Sequence, residues 1–349
     1  MTTQRLGALL GLLAAITFGV SAPLCKALLE EVPPQLLAGL LYLGAGLGLG
    51  LYVALRPPTR EAPLARADLP VLAGVIGLGG VLGPLLLLVG LARVSGAAGS
   101  LLLNLEAPLT ILLAAWIFGE HLGRRAALAS GLILVAALVL RLGPGAIEVD
   151  GPGVAAIAAA CLCWALDNNL TQRLTLKDPI QVVRIKTSAA GVFNAGLGLA
   201  LGARLPAASI VGLALALGLV SYGISVVLDA YALRLHGAAR QAAYFAAAPF
   251  LGALASVPLL GDRLGPGEAA AMGLMAVGVA LLASERHDHE HTHEPLTHAH
   301  RHVHDDHHRH AHGPDDPPGE PHAHLHTHEP LTHRHPHAPD LHHRHPHTE

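Results

Sequence analysis

Long apolar runs constrain this chain more than any other feature. Across the first 286 residues, stretches of 18 or more residues with few charges follow one another, and a helix needs about 20 such residues to cross the roughly 30 Å hydrocarbon core of a bilayer. The runs are separated by strong punctuators: Pro33-Pro34, Pro57-Pro58, Gly143-Pro144-Gly145, Gly151-Pro152-Gly153 and Gly265-Pro266-Gly267. These break helices and start turns. The pattern predicts an all-α integral membrane protein with ten spans near 6–27, 34–55, 70–93, 97–118, 125–142, 153–173, 180–202, 208–233, 238–260 and 266–284.

Composition narrows the class further. Only 13% of residues are charged, about half the share of a soluble globular chain, which excludes a secreted, disulfide-built or disordered protein. With 22 Lys+Arg against 25 Asp+Glu the formal charge is −3, and no basic stripe exists to meet a nucleic acid. Cys25, Cys161 and Cys163 lie inside apolar segments; an odd count there makes no disulfide framework, and such thiols behave as small buried hydrophobes. Arg5 followed by the apolar run Leu6 to Val20 imitates the opening of a signal peptide. No small-x-small cleavage site follows, and the segment has a counterpart later in the chain, so it reads as the first span.

Loop charges orient the bundle, because cytoplasmic loops hold an excess of Lys and Arg. One side carries ten: Arg5, Arg56, Arg60, Arg66, Arg124, Arg125, Arg173, Lys177, Arg234 and Arg240. The other carries four: Arg93, Arg141, Arg204 and Arg263. Both termini are therefore expected in the cytoplasm.

An internal repeat is legible as well. Leu91-Ala92-Arg93-Val94-Ser95-Gly96-Ala97-Ala98 aligns 141 residues later with Ala232-Leu233-Arg234-Leu235-His236-Gly237-Ala238-Ala239. At the same offset Pro108 meets Pro249, and after a one-residue gap Gly119-Glu120-His121-Leu122 meets Gly261-Asp262-Arg263-Leu264. Each half, 1–142 and 143–284, then holds five helices. An odd number per repeat inverts one half relative to the other, as in many secondary transporters.

These features resemble a known family. The stretch from Leu91 into Ser100-Leu101-Leu102-Leu103-Asn104-Leu105-Glu106-Ala107-Pro108-Leu109-Thr110, the Phe118-Gly119-Glu120 helix end and Ala248-Pro249-Phe250 are similar to the EamA-type drug/metabolite transporters over about residues 5–284. The resemblance implies a transporter of small organic molecules, usually an exporter. Many relatives carry Arg in the second helix and Trp-Gly in the first, where this chain has Leu41-Tyr42 and Phe18-Gly19. A substrate is therefore not borrowed from any of them.

Charges inside the spans mark candidate site residues, since each costs about 2.5–3.5 kcal/mol at the bilayer centre on insertion scales. Glu106 lies mid-span and its repeat counterpart is apolar Ala247, so it reads as task-specific. Its structural alternative is a hydrogen bond to Asn104, Thr110 or a neighbouring helix. Pro108 and Pro249 each remove a helical hydrogen bond mid-span and mark helices broken for binding or merely kinked. Asp167 and Lys186 each sit six residues, roughly 9 Å, from the cytoplasmic edge of consecutive spans, which suits an ion pair, with Arg184 as a rival partner. Asn168 extends the polar group, and Tyr222 and Tyr244, with Trp164, Ser221 and Ser225, offer polar edges to a pocket or to helix packing. Lys26, near the outer end of the first span, can snorkel to the interface.

Residues 285–349 form a second kind of sequence. They hold 23 of the 25 histidines in His-x-His steps, and the decapeptide His291–His300 returns almost unchanged as His326–His335. Apolar residues are too scarce for a core, so disorder is expected. The imidazoles His291, His293, His298, His300, His326, His328, His333 and His335 are candidate ligands for Zn, Ni, Co or Cu, with no cofactor required for the membrane domain.

The residues support three functions. The first is a carrier of a small organic metabolite or drug-like solute, outward and in the inner (plasma) membrane as the resemblance implies. The second is a divalent-metal (Ni/Co/Zn) efflux carrier loaded by the tail, which would want His, Asp or Cys ligands within the spans, yet His121 and His236 fall in or beside loops. The third is a membrane enzyme or sensor. A serine hydrolase would want a Gly-x-Ser-x-Gly turn and a partner histidine, whereas Ser221 follows Leu219-Val220 and no histidine lies in a span. The reading is a non-enzymatic carrier whose partners are the solute and the lipid bilayer.

Overall fold

The computed structural model describes residues 3–56, 64–118, 123–142, 150–171, 174, 177–236, 241, 244–283, 287–293, 296–302, 322–328 and 331–337. Among these, ten principal helical segments fall where the apolar runs are: α1 (Arg5–Leu28), α2 (Pro34–Leu55), α3 (Arg66–Leu91), α4 (Gly96–Ile117), α5 (Arg124–Leu142), α6 (Gly151–Thr171), α7 (Pro179–Ala200), α8 (Ala208–Ala232), α9 (Ala248–Leu260) and α10 (Pro266–Ala283). Six of them, α1, α2, α3, α4, α6 and α8, are long and apolar enough to cross a membrane. Start signals are local. Pro34, Pro179 and Pro266 open their helices, where a missing N–H costs nothing. Asp178 caps α7 by accepting from the N–H groups of Ile180 (3.0 Å) and Gln181 (3.4 Å).

Three of the helices are irregular in the middle. In α3 a π-helical stretch, Ile76–Leu82, precedes Pro84; in α8 another covers Leu219–Ile224. In α4 a single 3-10 turn, Leu103–Leu105, stands immediately before Glu106 and two residues later Pro108, whose ring nitrogen offers no hydrogen to the preceding turn. Pro249 occupies the first turn of α9, which starts at Ala248, ten residues later than the apolar run predicts; 237–240 and 242–243 lie outside the described residues. Short π segments inside α-helices recur at functional sites because they leave carbonyls free for other partners.

The helices pair closely. α2 lies against α7 and α8, α1 against α8, α3 against α6, α4 against α6 and α9, and α5 against α10. Small residues permit this in a membrane, where packing rather than the hydrophobic effect drives association. At the α2–α8 crossing a Cβ on Gly44 would stand 2.0 Å from the Leu215 carbonyl oxygen and one on Gly218 1.8 Å from that of Leu41. The two backbones touch there. One continuous core results, with Leu36, Leu37, Leu41, Leu87, Leu101, Ile133 and Ile157 fully enclosed. Cys25 and Cys161 are buried and all three thiols are free, in keeping with a packing role.

In the tail, four short segments are described: β1 (His287–His293), β2 (Leu296–His302), β3 (His322–His328) and β4 (Leu331–His337), with β1 beside β4 and β2 beside β3 as antiparallel ladders. The register sets His291 opposite His333 and His298 opposite His326. His-x-His alternation has the period of a strand, and each decapeptide copy contributes the end of one strand and the start of the next. The remainder of 284–349 lies outside the described residues.

Candidate functional site

A polar group inside the bundle gathers around the π segment of α3. Lys186 of α7 donates from Nζ to the Asp167 carboxylate of α6, so the two residues expected to pair do meet; the side chains are 18% and 5% exposed. Arg184, the rival, turns instead to Gln181 Oε1 on its own helix at 2.7 Å. Thr171 Oγ1 supports Asp167 Oδ1 from one turn away at 3.3 Å. A Cβ on Gly79 would lie 2.0 Å from Asp167 Oδ2 and 2.7 Å from Lys186 Nζ. Only glycine leaves the ion pair room against α3.

The Gly79 carbonyl is also the junction of the site. It accepts hydrogen bonds from Tyr42 Oη of α2 and Trp164 Nε1 of α6, both at 3.1 Å. The Tyr42 ring stands 5.5 Å from the Tyr222 ring, which belongs to the π segment of α8; Tyr222 stands 6.0 Å edge-on from Phe18 of α1, and Phe18 5.2 Å from Phe245. The chain has two tryptophans, five tyrosines and five phenylalanines, and five of these twelve meet here. Both halves contribute.

Glu106, half-buried, accepts from Asn168 Nδ2 of α6 at 2.7 Å. Its partner is thus the neighbouring helix. Thr110 bonds only the Glu106 backbone carbonyl, and Asn104 turns away, donating to the Leu101 carbonyl at 3.1 Å and facing Met275 Sδ of α10 at 3.5 Å. Asn104 therefore stitches α4 to α10 and stands apart from the charged group. Asp167, Lys186 and Asp229 lie within electrostatic reach of Glu106, and Glu106 and Asp167 within reach of Tyr42. Asn169, next to Asn168, donates to the carbonyls of Thr110 (3.2 Å) and Ala165 (2.8 Å), while its buried Oδ1 has no donor among the described residues.

Other expected residues sit at the margins. Pro108 is buried in α4, Pro249 is partly buried in the first turn of α9, and Tyr244 is exposed just before it. Tyr222 Oη lies 3.9 Å from Cys25 Sγ, and Ser221 and Ser225 bond the Thr17 and Ala14 carbonyls of α1, which is helix packing. Lys26 donates to the Leu91 carbonyl at the end of α3 at 2.9 Å. The histidines named as metal ligands lie in β1–β4, where only the backbone is described. No group of three or more His, Cys, Asp or Glu stands close enough to hold a metal among the described residues.

Of the ion pairs that went unnoticed in the sequence, two are largely enclosed. Arg56 at the end of α2 meets Asp178 at the start of α7, with side chains only 10% and 5% exposed, and Asp68 at the start of α3 meets Lys177 at 3.4 Å. Both tie the first half of the chain to the second. The signal lay in Asp178-Pro179 as a helix start and in Arg56 as the first charge after the second span, yet nothing local links the two positions.

Long apolar helices packed around a charge pair, with broken turns beside it, define a multi-pass membrane protein. The chain belongs to the EamA-like transporter family, whose profile matches residues 5–142 and, separately, 151–284. An uncharacterized transporter of Methanothermobacter thermautotrophicus is 31% identical over 262 residues, covering 69% of this chain and 75% of its own. A solved crystal structure, 22% identical, superposes with a TM-score of 0.59 over 80% of this chain and 98% of that one, which shows a shared fold.

Proposed function

We propose that the protein is a secondary carrier of the inner membrane that exports a small organic metabolite or drug-like solute by alternating access between two inverted five-helix repeats, 1–142 and 143–284, through ten spans with both termini cytoplasmic. The observation that carries this reading is the junction at Gly79, where a buried ion pair, Glu106 with Asn168, and aromatic rings from both halves converge between two π-helical breaks. Irregular backbone at membrane depth is tolerated where it lines a site, and carriers of this plan bind at the repeat interface.

The helix pairing supports the repeat. Shifting every helix by five places turns α1–α8 into α6–α3 and leaves α2–α7, α4–α9 and α5–α10 unchanged, and all of these pairs are in contact. Both π segments fall in the third helix of a half, and the family profile matches each half by itself. The ten-to-four bias of loop cations supports the orientation. The histidine tail is read as a cytoplasmic binder of divalent Zn, Ni, Co or Cu, outside the transport path; its imidazoles are ligands of the right type for all four.

Glu106→Gln tests the reading. It keeps the size and hydrogen bonding of the side chain and removes its charge, so the variant is expected to insert and purify like the parent but to lose most solute transport in reconstituted vesicles, about tenfold or more. Undiminished transport would reduce Glu106 to helix packing.

A further inference from the structure

We infer that the cargo of this site is a monovalent organic cation with an aromatic or apolar body; the inference rests on the carrier reading and names its substrate class. The mid-membrane charges do not balance in favour of an anion. Lys186 is taken up by Asp167, and Arg184 is turned to Gln181 nearer the membrane edge. Among the described residues Glu106 accepts from the neutral amide of Asn168, and the cation within its electrostatic reach, Lys186, is already paired with Asp167. An anionic cargo beside Glu106 would meet like charge there, which discriminates by repulsion. The spare hydrogen-bonding capacity on the same α4–α6 seam is also an acceptor, Asn169 Oδ1.

The rings supply the other half of the recognition. A chain with only 3% aromatic residues sets Phe18, Tyr42, Tyr222 and Phe245 in successive contact, with Trp164 joined to Tyr42 through the Gly79 carbonyl. Ring faces attract a desolvated cation and take up an apolar body. Trp164 and Asn168 are one turn apart on α6, so one helix carries both a ring of this group and the amide that holds the Glu106 carboxylate of α4. Glu106 and its exposed partner Asn168 are accessible at mid-span, and a carboxylate at that depth faces a watered route rather than lipid.

Three probes of matched shape decide the matter: trimethylphenylammonium, benzenesulfonate and tert-butylbenzene, titrated by calorimetry into the full chain in nanodiscs and followed as uptake into vesicles holding it. The ammonium is expected to bind at least about tenfold better than either partner beyond their partition into empty nanodiscs, to cross at least about tenfold better than the sulfonate above the leak of protein-free vesicles, and to weaken about tenfold in Glu106→Gln and about threefold or more in Phe18→Leu, with gel filtration checking that each variant is folded. Either variant serves if the other misfolds. Equal or better binding of benzenesulfonate, or ammonium binding indifferent to both variants, overturns the inference. If the sulfonate or a zwitterion is carried while the ammonium is not, the cation assignment falls and the carrier reading stands. If no solute of any charge crosses, both fall.

Discussion

Asp167→Asn and Lys186→Met are each expected to destabilise the protein by about 3–5 kcal/mol and to abolish transport, because removing one partner strands the other charge inside the bundle. The double reversal, Asp167→Lys with Lys186→Asp, is expected to recover most of the thermal stability, since the pair bridges α6 and α7 with both side chains largely enclosed. Thermal unfolding in nanodiscs and vesicle transport check the two readouts separately. Stability without transport in the double reversal would place the sign of each charge, and not only their pairing, in the mechanism. No recovery of stability would mean that the pair is incidental to the fold.

The second large effect is steric. Gly218→Ala adds a single methyl 1.8 Å from the Leu41 carbonyl oxygen, where no rotamer change relieves the clash and α2 must move off α8. Overpacking of this kind costs about 1–3 kcal/mol, occasionally more, and a backbone contact belongs at the upper end. Gly212→Ala on the same helix has nothing within 4 Å of the added carbon. It is expected to be neutral or slightly stabilising, since alanine is the better helix former. Yield of monodisperse protein and melting temperature separate the two variants. Equal behaviour would show that the α2–α8 contact is looser than its geometry.

The residues explain why some of this was legible beforehand. Apolar run length reports membrane helices directly, because the bilayer imposes one dimension on every span. Asp167 and Lys186 were pairable from sequence because both sit the same number of residues from one edge, so helix rise converts position into depth. Gly79 gave no such signal. Its role arises from four side chains, Tyr42 on α2, Trp164 and Asp167 on α6 and Lys186 on α7, that reach it only when those helices pack around α3. The same holds for Arg56 with Asp178, 122 residues apart, and for Asn104, which shares a helix with Glu106 but faces α10.

The proposed division between a solute path in the bundle and a tail that binds metal is tested on one preparation: the chain truncated after Ser284, reconstituted beside the full chain, with organic-solute uptake, divalent-metal flux and calorimetric metal binding measured on both. Solute transport is expected to survive truncation largely intact while most binding of Zn, Ni, Co or Cu disappears, because the tail holds 23 of the 25 histidines. Loss of a metal flux that the full chain supports, with no organic solute carried by either form, would contradict the account and make metal the cargo.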